Sequence, residues 1–187
     1  WSIRANNMSI PTDCPQRDER MGWMGDAHLA AEATILNFDV AAYYQNFLQI
    51  IADSQSEEGF IPDTAPHFWG QLDGSPPWAI AYPLIAWYSW RYYENRRAVE
   101  EHYDPIVRWF RTMEAKAQDH ILEYCHYGDW VGVEPTPMPP IGTGCYYWTA
   151  AILEEFARVL GKEADRAMFA QRKQDIAAAY NARFFNA

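Results

Sequence analysis

The 187 residues suffice for one domain with a sizeable core, or for a large piece of one. Asp and Glu number 25 against 15 Lys and Arg, and the formal net charge of −10 excludes the basic footprint that nucleic acid or an anionic membrane surface requires. Aromatics make up 16% of the chain, with 9 Trp and 12 Tyr, and several sit beside acids in Pro/Gly-rich stretches, where a core has least use for them.

Residues 1–25 carry Pro11, Pro15, Gly22 and Gly25 with no sustained period and are expected to be irregular. Asp26 is then placed to cap a helix in which the apolar Leu29, Ala33 and Leu36 share one face. Asn37 ends it, and Asp39 can cap the next, where Val40, Tyr43, Tyr44, Phe47, Leu48 and Ile51 recur at helical spacing to about Gln55. From Ser56 to Pro77, four prolines and three glycines make a loop longer than ordinary connections. Ordered loops of that length tend to carry function.

Residues 78–94 are apolar on nearly every face (Ile80, Tyr82, Leu84, Ile85, Trp87, Tyr88, Trp90) and predict a helix packed on both sides. A further helix is expected from Arg97 to about Ile121, broken or kinked at Asp104-Pro105. A second long loop, 122–144, holds Pro135, Pro137, Pro139 and Pro140. Helices from about Tyr146 to Leu160 and Glu163 to Phe184 follow, separated by Gly161. Strand pairing is confined to short stretches at 59–62 or 122–125.

The order of helix pair, long loop, helix pair, long loop, helix pair predicts an all-α fold. About three helical hairpins would form roughly half of an (α/α)6 toroid, with the long loops at one mouth. A helical solenoid is the rival, but no repeat of fixed period supports it. The chain starts at Trp1 and stops at Asn186-Ala187, just after a helix-like stretch. Residues 1–187 are therefore expected to be a fragment of a single catalytic domain, truncated at both ends.

Cys14, Cys125 and Cys145 form no CxxC, and the five histidines show no HxxxH or HxH spacing. Neither a disulfide framework nor a metal site is expected, and sparse free thiols favour a reducing, cytoplasmic compartment. No apolar run reaches the roughly 18 residues of a membrane span.

Chemistry concentrates between Asp13 and Asp26. Four acids (Asp13, Asp18, Glu19, Asp26), two arginines (Arg17, Arg20) and Trp23 fall within fourteen residues that form no regular element. A solvated turn with surface ion pairs explains the charges but not the enclosed Trp23, Gly22 and Gly25. Glycoside hydrolysis requires one carboxylic acid to protonate the leaving oxygen and a second carboxylate to activate water or attack the sugar. Further acids and an arginine hold sugar hydroxyls, while tryptophan stacks on the apolar face of the ring. The segment holds each of these types except an identifiable base.

The run Asp13-Cys-Pro-Gln-Arg-Asp-Glu-Arg-x-Gly-Trp-x-Gly-Asp26 resembles the signature of bacterial α-L-rhamnosidases, the family 78 glycoside hydrolases. The likeness continues through Phe38-Asp-Val-Ala-Ala42, Gln55 with Gly59-Phe-Ile-Pro62, Pro77-Trp-Ala-Ile-Ala-Tyr-Pro83, Glu100-Glu-His-Tyr103 and Tyr127-Gly-Asp-Trp130. It thus covers essentially the whole chain. The resemblance implies an (α/α)6 barrel that needs no cofactor and hydrolyses terminal α-L-rhamnosyl groups with inversion. It places Glu19 as the general acid, with Asp13, Arg17 and Asp26 on the rhamnose hydroxyls and Trp23, Trp78 and Trp130 as aromatic walls. The family's general base lies in the second half of the barrel, beyond this chain.

The implied partner is a small-molecule or oligosaccharide substrate containing rhamnose; the oligomeric state is left open. Glu134 is expected to be peripheral. Asp129 either contacts the ligand or caps a neighbouring backbone, and Asp63, Asp73, His67 and His126 are read as loop residues rather than catalytic ones. Two alternatives stay open at this level: another (α/α)6 glycosidase acting on a different sugar, and a non-catalytic sugar-binding domain of the same fold.

Overall fold

A computed structural model describes residues 1–185; Asn186 and Ala187 lie outside the described residues. The helices are α1 (Ser2–Asn6), α2 (Met24–Asn37), α3 (Ala41–Ser54), α4 (Pro76–Ala79), α5 (Ala81–Tyr93), α6 (Arg96–Lys116), α7 (Met138–Leu160) and α8 (Glu163–Phe184). The fold is all-α, as expected. Among the described residues the only extended pairings are isolated bridges, Asn7 with Pro11, Trp23 with Thr64 and Gln118 with Ile121, so the short pairings expected at 59–62 and 122–125 do not form.

Three helix pairs follow one another: α2/α3, α5/α6 and α7/α8. The middle pair organises the rest, because α5 packs against α2, α3, α6 and α7. That explains its composition. Tyr82, Leu84, Ile85 and Ala86 are all buried, and a helix packed against so many neighbours is apolar on most faces, with its exposed residues, Arg91 and Tyr92, in the last turn. Fully burying a side chain such as Leu84 or Ile85 is worth roughly 1.5–3 kcal/mol.

α6, by contrast, buries one stripe, Ala98, Val99, His102, Ile106, Trp109, Phe110 and Met113, and leaves the opposite face charged. Phe110 meets Tyr146 of α7 at 5.0 Å and Phe169 of α8 at 5.2 Å between ring centroids. The second and third pairs thereby share one aromatic core.

Four local expectations are corrected. The N-cap of α2 is Trp23, and Asp26 stands inside the first turn, where a carboxylate still faces the positive end of the helix dipole. The buried face of α2 is Met24, Ala27, Ala31 and Thr34, while Leu29 and Leu36 are 80% and 69% exposed. α2 packs against α5, and its buried face is made largely of small residues.

Of the break or kink expected at Pro105, the break is absent: α6 runs through it without interruption. Its interior proline leaves a carbonyl without its helical donor, but tertiary burial of the stripe above and below holds the helix together. α7 begins at Met138, eight residues before the expected start, so Pro139 and Pro140 lie in its first turn. Amide hydrogens are unpaired there in any helix, and proline has none to leave unpaired.

Candidate active site

The segment before α2 is shaped by its own first acid. Asp13 donates its backbone N–H to the Met21 carbonyl (3.1 Å) and accepts the Met21 N–H on Oδ1 (2.9 Å), closing the intervening residues into a loop. Arg20 turns the chain with φ 44° and donates to the Pro15 carbonyl at 2.7 Å. The closed loop holds Arg17 and Glu19 against Asp13. The Arg17 guanidinium lies 3.9 Å from Asp13 Oδ2 and 3.6 Å from Glu19 Oε2.

Gly22 then runs against the loop that follows α3. The Ala65 N–H donates to the Gly22 carbonyl at 3.0 Å, and a Cβ on Gly22 would stand 2.2 Å from the Ala65 oxygen. Only glycine permits that approach. It sets Trp23, the next residue, so that its indole Nε1–H donates to Glu19 Oε1 at 2.8 Å. One oxygen of Glu19 is thus held by Trp23 and the other faces Arg17.

Gly25 does the same for a second wall. A Cβ there would meet the Trp78 indole at 2.9 Å, so Trp78 packs directly on the first turn of α2. His28, one turn further along, shares a 2.8 Å hydrogen bond with the Pro77 carbonyl. Since a carbonyl only accepts, Nε2 carries the proton, and burial lowers the imidazole pKa, leaving the ring neutral.

From the second long loop, Tyr127 and Trp130 complete the enclosure. Trp78 lies 4.8 Å from Tyr127 and 6.2 Å from Trp130, and Tyr127 lies 6.4 Å from Trp23 and 6.0 Å from Trp130, centroid to centroid. Trp130 adopts φ 53° and keeps 65% of its surface exposed.

These side chains line one cavity of about 330 Å³. Asp13, Arg17, Glu19, Trp23, Asp26, Trp78 and Trp130 all stand on its wall, although the sequence scatters them over more than a hundred residues. Sequence reasoning passed over His28, Tyr127 and Pro77, which line it too. Tyr127 is signalled by its place three residues before Trp130; nothing in the sequence signals His28.

Asp129 is on the wall and also accepts the Thr136 N–H at 3.0 Å, a bond that lowers its pKa. Glu134 is exposed and stands apart from the cavity. Asp73 pairs with Lys116 at 3.3 Å and with His126 at 3.3 Å, away from the wall.

Electrostatically the cavity is a set of carboxylates around one guanidinium. Desolvation raises the Asp26 pKa, and the neighbouring charges of Asp13 and Glu19 add to the rise while Arg17 opposes it. Asp13, Cys14 and Glu19 bring potential ligand atoms within 4.8 Å of one another. Arg17 already supplies the positive charge beside both carboxylates, so the trio is an acid–guanidinium cluster in which a cation would meet like charge.

The sequence matches the family described as the bacterial alpha-L-rhamnosidase 6 hairpin glycosidase domain over residues 1–187. The chain belongs to this family. The α-L-rhamnosidase of Dictyoglumus thermophilum superposes with a TM-score of 0.95 at 41% identity, over 98% of this chain and 21% of that one. The α-L-rhamnosidase of Streptomyces avermitilis complexed with L-rhamnose superposes with a TM-score of 0.88 at 27% identity, over 97% of this chain and 18% of that one. An α-L-rhamnosidase of Formosa agariphila is 31% identical over 193 residues, covering 99% of this chain and 21% of the relative. The chain therefore spans about a fifth of the length of the relatives it matches and forms part of a six-hairpin domain.

Proposed function

We propose that this chain supplies the acid-bearing part of an α-L-rhamnosidase site that cleaves terminal, non-reducing α-L-rhamnosyl groups. The observation that carries the reading is the single cavity in which Glu19, Asp13, Arg17, Asp26 and three tryptophans converge. Its volume, about 330 Å³, accommodates one monosaccharide ring. Membership of the α-L-rhamnosidase family, and the relative crystallised with L-rhamnose, point to the sugar.

In this mechanism Glu19 donates a proton to the glycosidic oxygen as the C–O bond breaks. Trp23 fixes the carboxyl through its Oε1, leaving Oε2, on the Arg17 side, to carry the proton. Asp13, Arg17 and Asp26 hold ring hydroxyls, the carboxylates accepting and the guanidinium donating. Trp23, Trp78 and Trp130 enclose the C–H faces of the ring and exclude water. Water attacks from the opposite face, with inversion, activated by a carboxylate about 6.5–9.5 Å from Glu19. That base lies in the remainder of the six-hairpin domain. No cofactor takes part.

A panel of aryl glycosides assayed on the full-length protein tests the sugar. Turnover of the α-L-rhamnoside well above the β-glucoside and α-L-fucoside is expected, with the β-anomer of rhamnose as the first product seen by NMR. Preference for another sugar, or first release of the α-anomer, would overturn the corresponding part of the proposal.

A further inference from the structure

The deepest carboxylate near the cavity does not touch it. Asp63 is fully buried in the loop between α3 and α4. Its carboxylate accepts the backbone N–H of Ser75 on Oδ1 at 2.6 Å, and on Oδ2 the N–H of Gln71 and the Tyr127 hydroxyl, both at 2.8 Å. Its backbone carbonyl accepts the Met24 N–H at 3.0 Å, and its own N–H donates to the Gln71 carbonyl at 3.1 Å.

One residue therefore ties together the start of α2, the later part of the loop ahead of α4, and the second long loop. A buried carboxylate is costly unless its lone pairs are satisfied, and here three donors from two distant segments converge on it. The chain folds back on Asp63 to make those bonds. The geometry explains why an acid, and not an amide, stands here. An asparagine would turn an N–H donor toward Gln71 and Tyr127, or toward Ser75.

Tyr127 is the point at which this reaches the cavity. Its ring is in contact range of Trp23, Trp78 and Trp130, so all three walls rest on one phenol whose hydroxyl is held from behind. Burial and the adjacent Asp63 push that phenol up to about 12, so it stays a donor throughout the working pH range.

We infer that Asp63 is a positioning residue for sugar recognition, acting through Tyr127 to fix the aromatic walls of the cavity. The inference deepens the rhamnosidase reading and rests on it for the identity of the sugar, but the positioning itself is independent of which sugar binds. Tyr127→Phe removes the hydroxyl and keeps the ring. Asp63→Asn removes the charge-assisted acceptor.

In the full-length protein, both variants and their combination are assayed on an aryl α-L-rhamnoside, and their near-ultraviolet circular dichroism is recorded. Tyr127→Phe is expected to raise KM roughly 10- to 100-fold, the scale of losing one hydrogen bond to a charged group, with a smaller fall in kcat. Its tryptophan dichroism, read at the long-wavelength edge where only indole absorbs, should change, because Trp23, Trp78 and Trp130 lose their common anchor. The double variant should be no worse in KM than Asp63→Asn alone, since both changes cut one link. An unchanged KM and dichroism in Tyr127→Phe, or additive losses in the double variant, would overturn the inference. If Asp63→Asn fails to fold, Tyr127→Phe alone decides. A wild-type protein that ignores the rhamnoside would defeat the rhamnosidase reading, and the dichroism would still judge the positioning.

Discussion

The indole Nε1–H of Trp23 donates to Glu19 Oε1 at 2.8 Å, so the residue proposed to protonate the leaving group is oriented by a wall of the sugar pocket. Binding and chemistry thereby share a contact. Trp23→Phe keeps an aromatic face but frees the carboxyl to rotate. The expected loss is about 10-fold in kcat, the scale of one hydrogen bond to a charged group, with a smaller effect on KM. Steady-state kinetics on the full-length protein check it; a change confined to KM would mean that the indole only stacks.

Gly25→Ala should act at a distance of one side chain. The added methyl would stand 2.9 Å from the Trp78 indole and force that ring into the cavity or out of its packing. Overpacking of this kind costs about 1–3 kcal/mol, and part of it should appear as weaker sugar binding. A thermal midpoint and a KM measured together test this; unchanged values of both would show that Trp78 moves freely.

Asp26 provides the pH dependence. Its folded-state pKa is raised, first by desolvation and then by Asp13 and Glu19. The carboxylate that would accept a sugar hydroxyl therefore forms at a higher pH than that of an ordinary aspartate. KM should fall as pH rises through that raised value, and Asp26→Asn should abolish this limb. For stability the sign is opposite. A group that binds its proton more tightly when folded contributes stability below its unfolded pKa, and loses it as pH rises through the folded one. The Asn variant should accordingly gain stability relative to wild type as pH rises. A KM independent of pH in wild type would remove Asp26 from the role.

The fold class was legible because hydrophobic periods of helical length separate two long Pro/Gly-rich loops, and burial followed those periods in α3 and α6. α2 misled because its leucines point outward, while Ala27 and Ala31 are among its buried residues. A pattern of large residues cannot reveal a buried face built from small ones. Pro105 misled in the opposite direction, since tertiary packing overrode a local breaker.

For the site, the segment from Asp13 to Asp26 advertised itself by composition, and the tryptophans by their polar surroundings. Asp63 did not. What distinguishes Asp63 is the set of backbone N–H groups aimed at it, from Gln71 and Ser75, and no residue type announces that.

The central claim is that Glu19 is the proton donor, and leaving-group dependence tests it most directly. Glu19→Gln in the full-length protein, compared with wild type on an alkyl and an activated aryl α-L-rhamnoside, separates proton donation from binding. The alkyl substrate, whose leaving oxygen needs the proton, should lose about 10²–10⁴-fold in kcat. The aryl substrate, which departs as a stable phenolate, should lose far less. Small and equal losses on both substrates would contradict the account and return Glu19 to the binding residues.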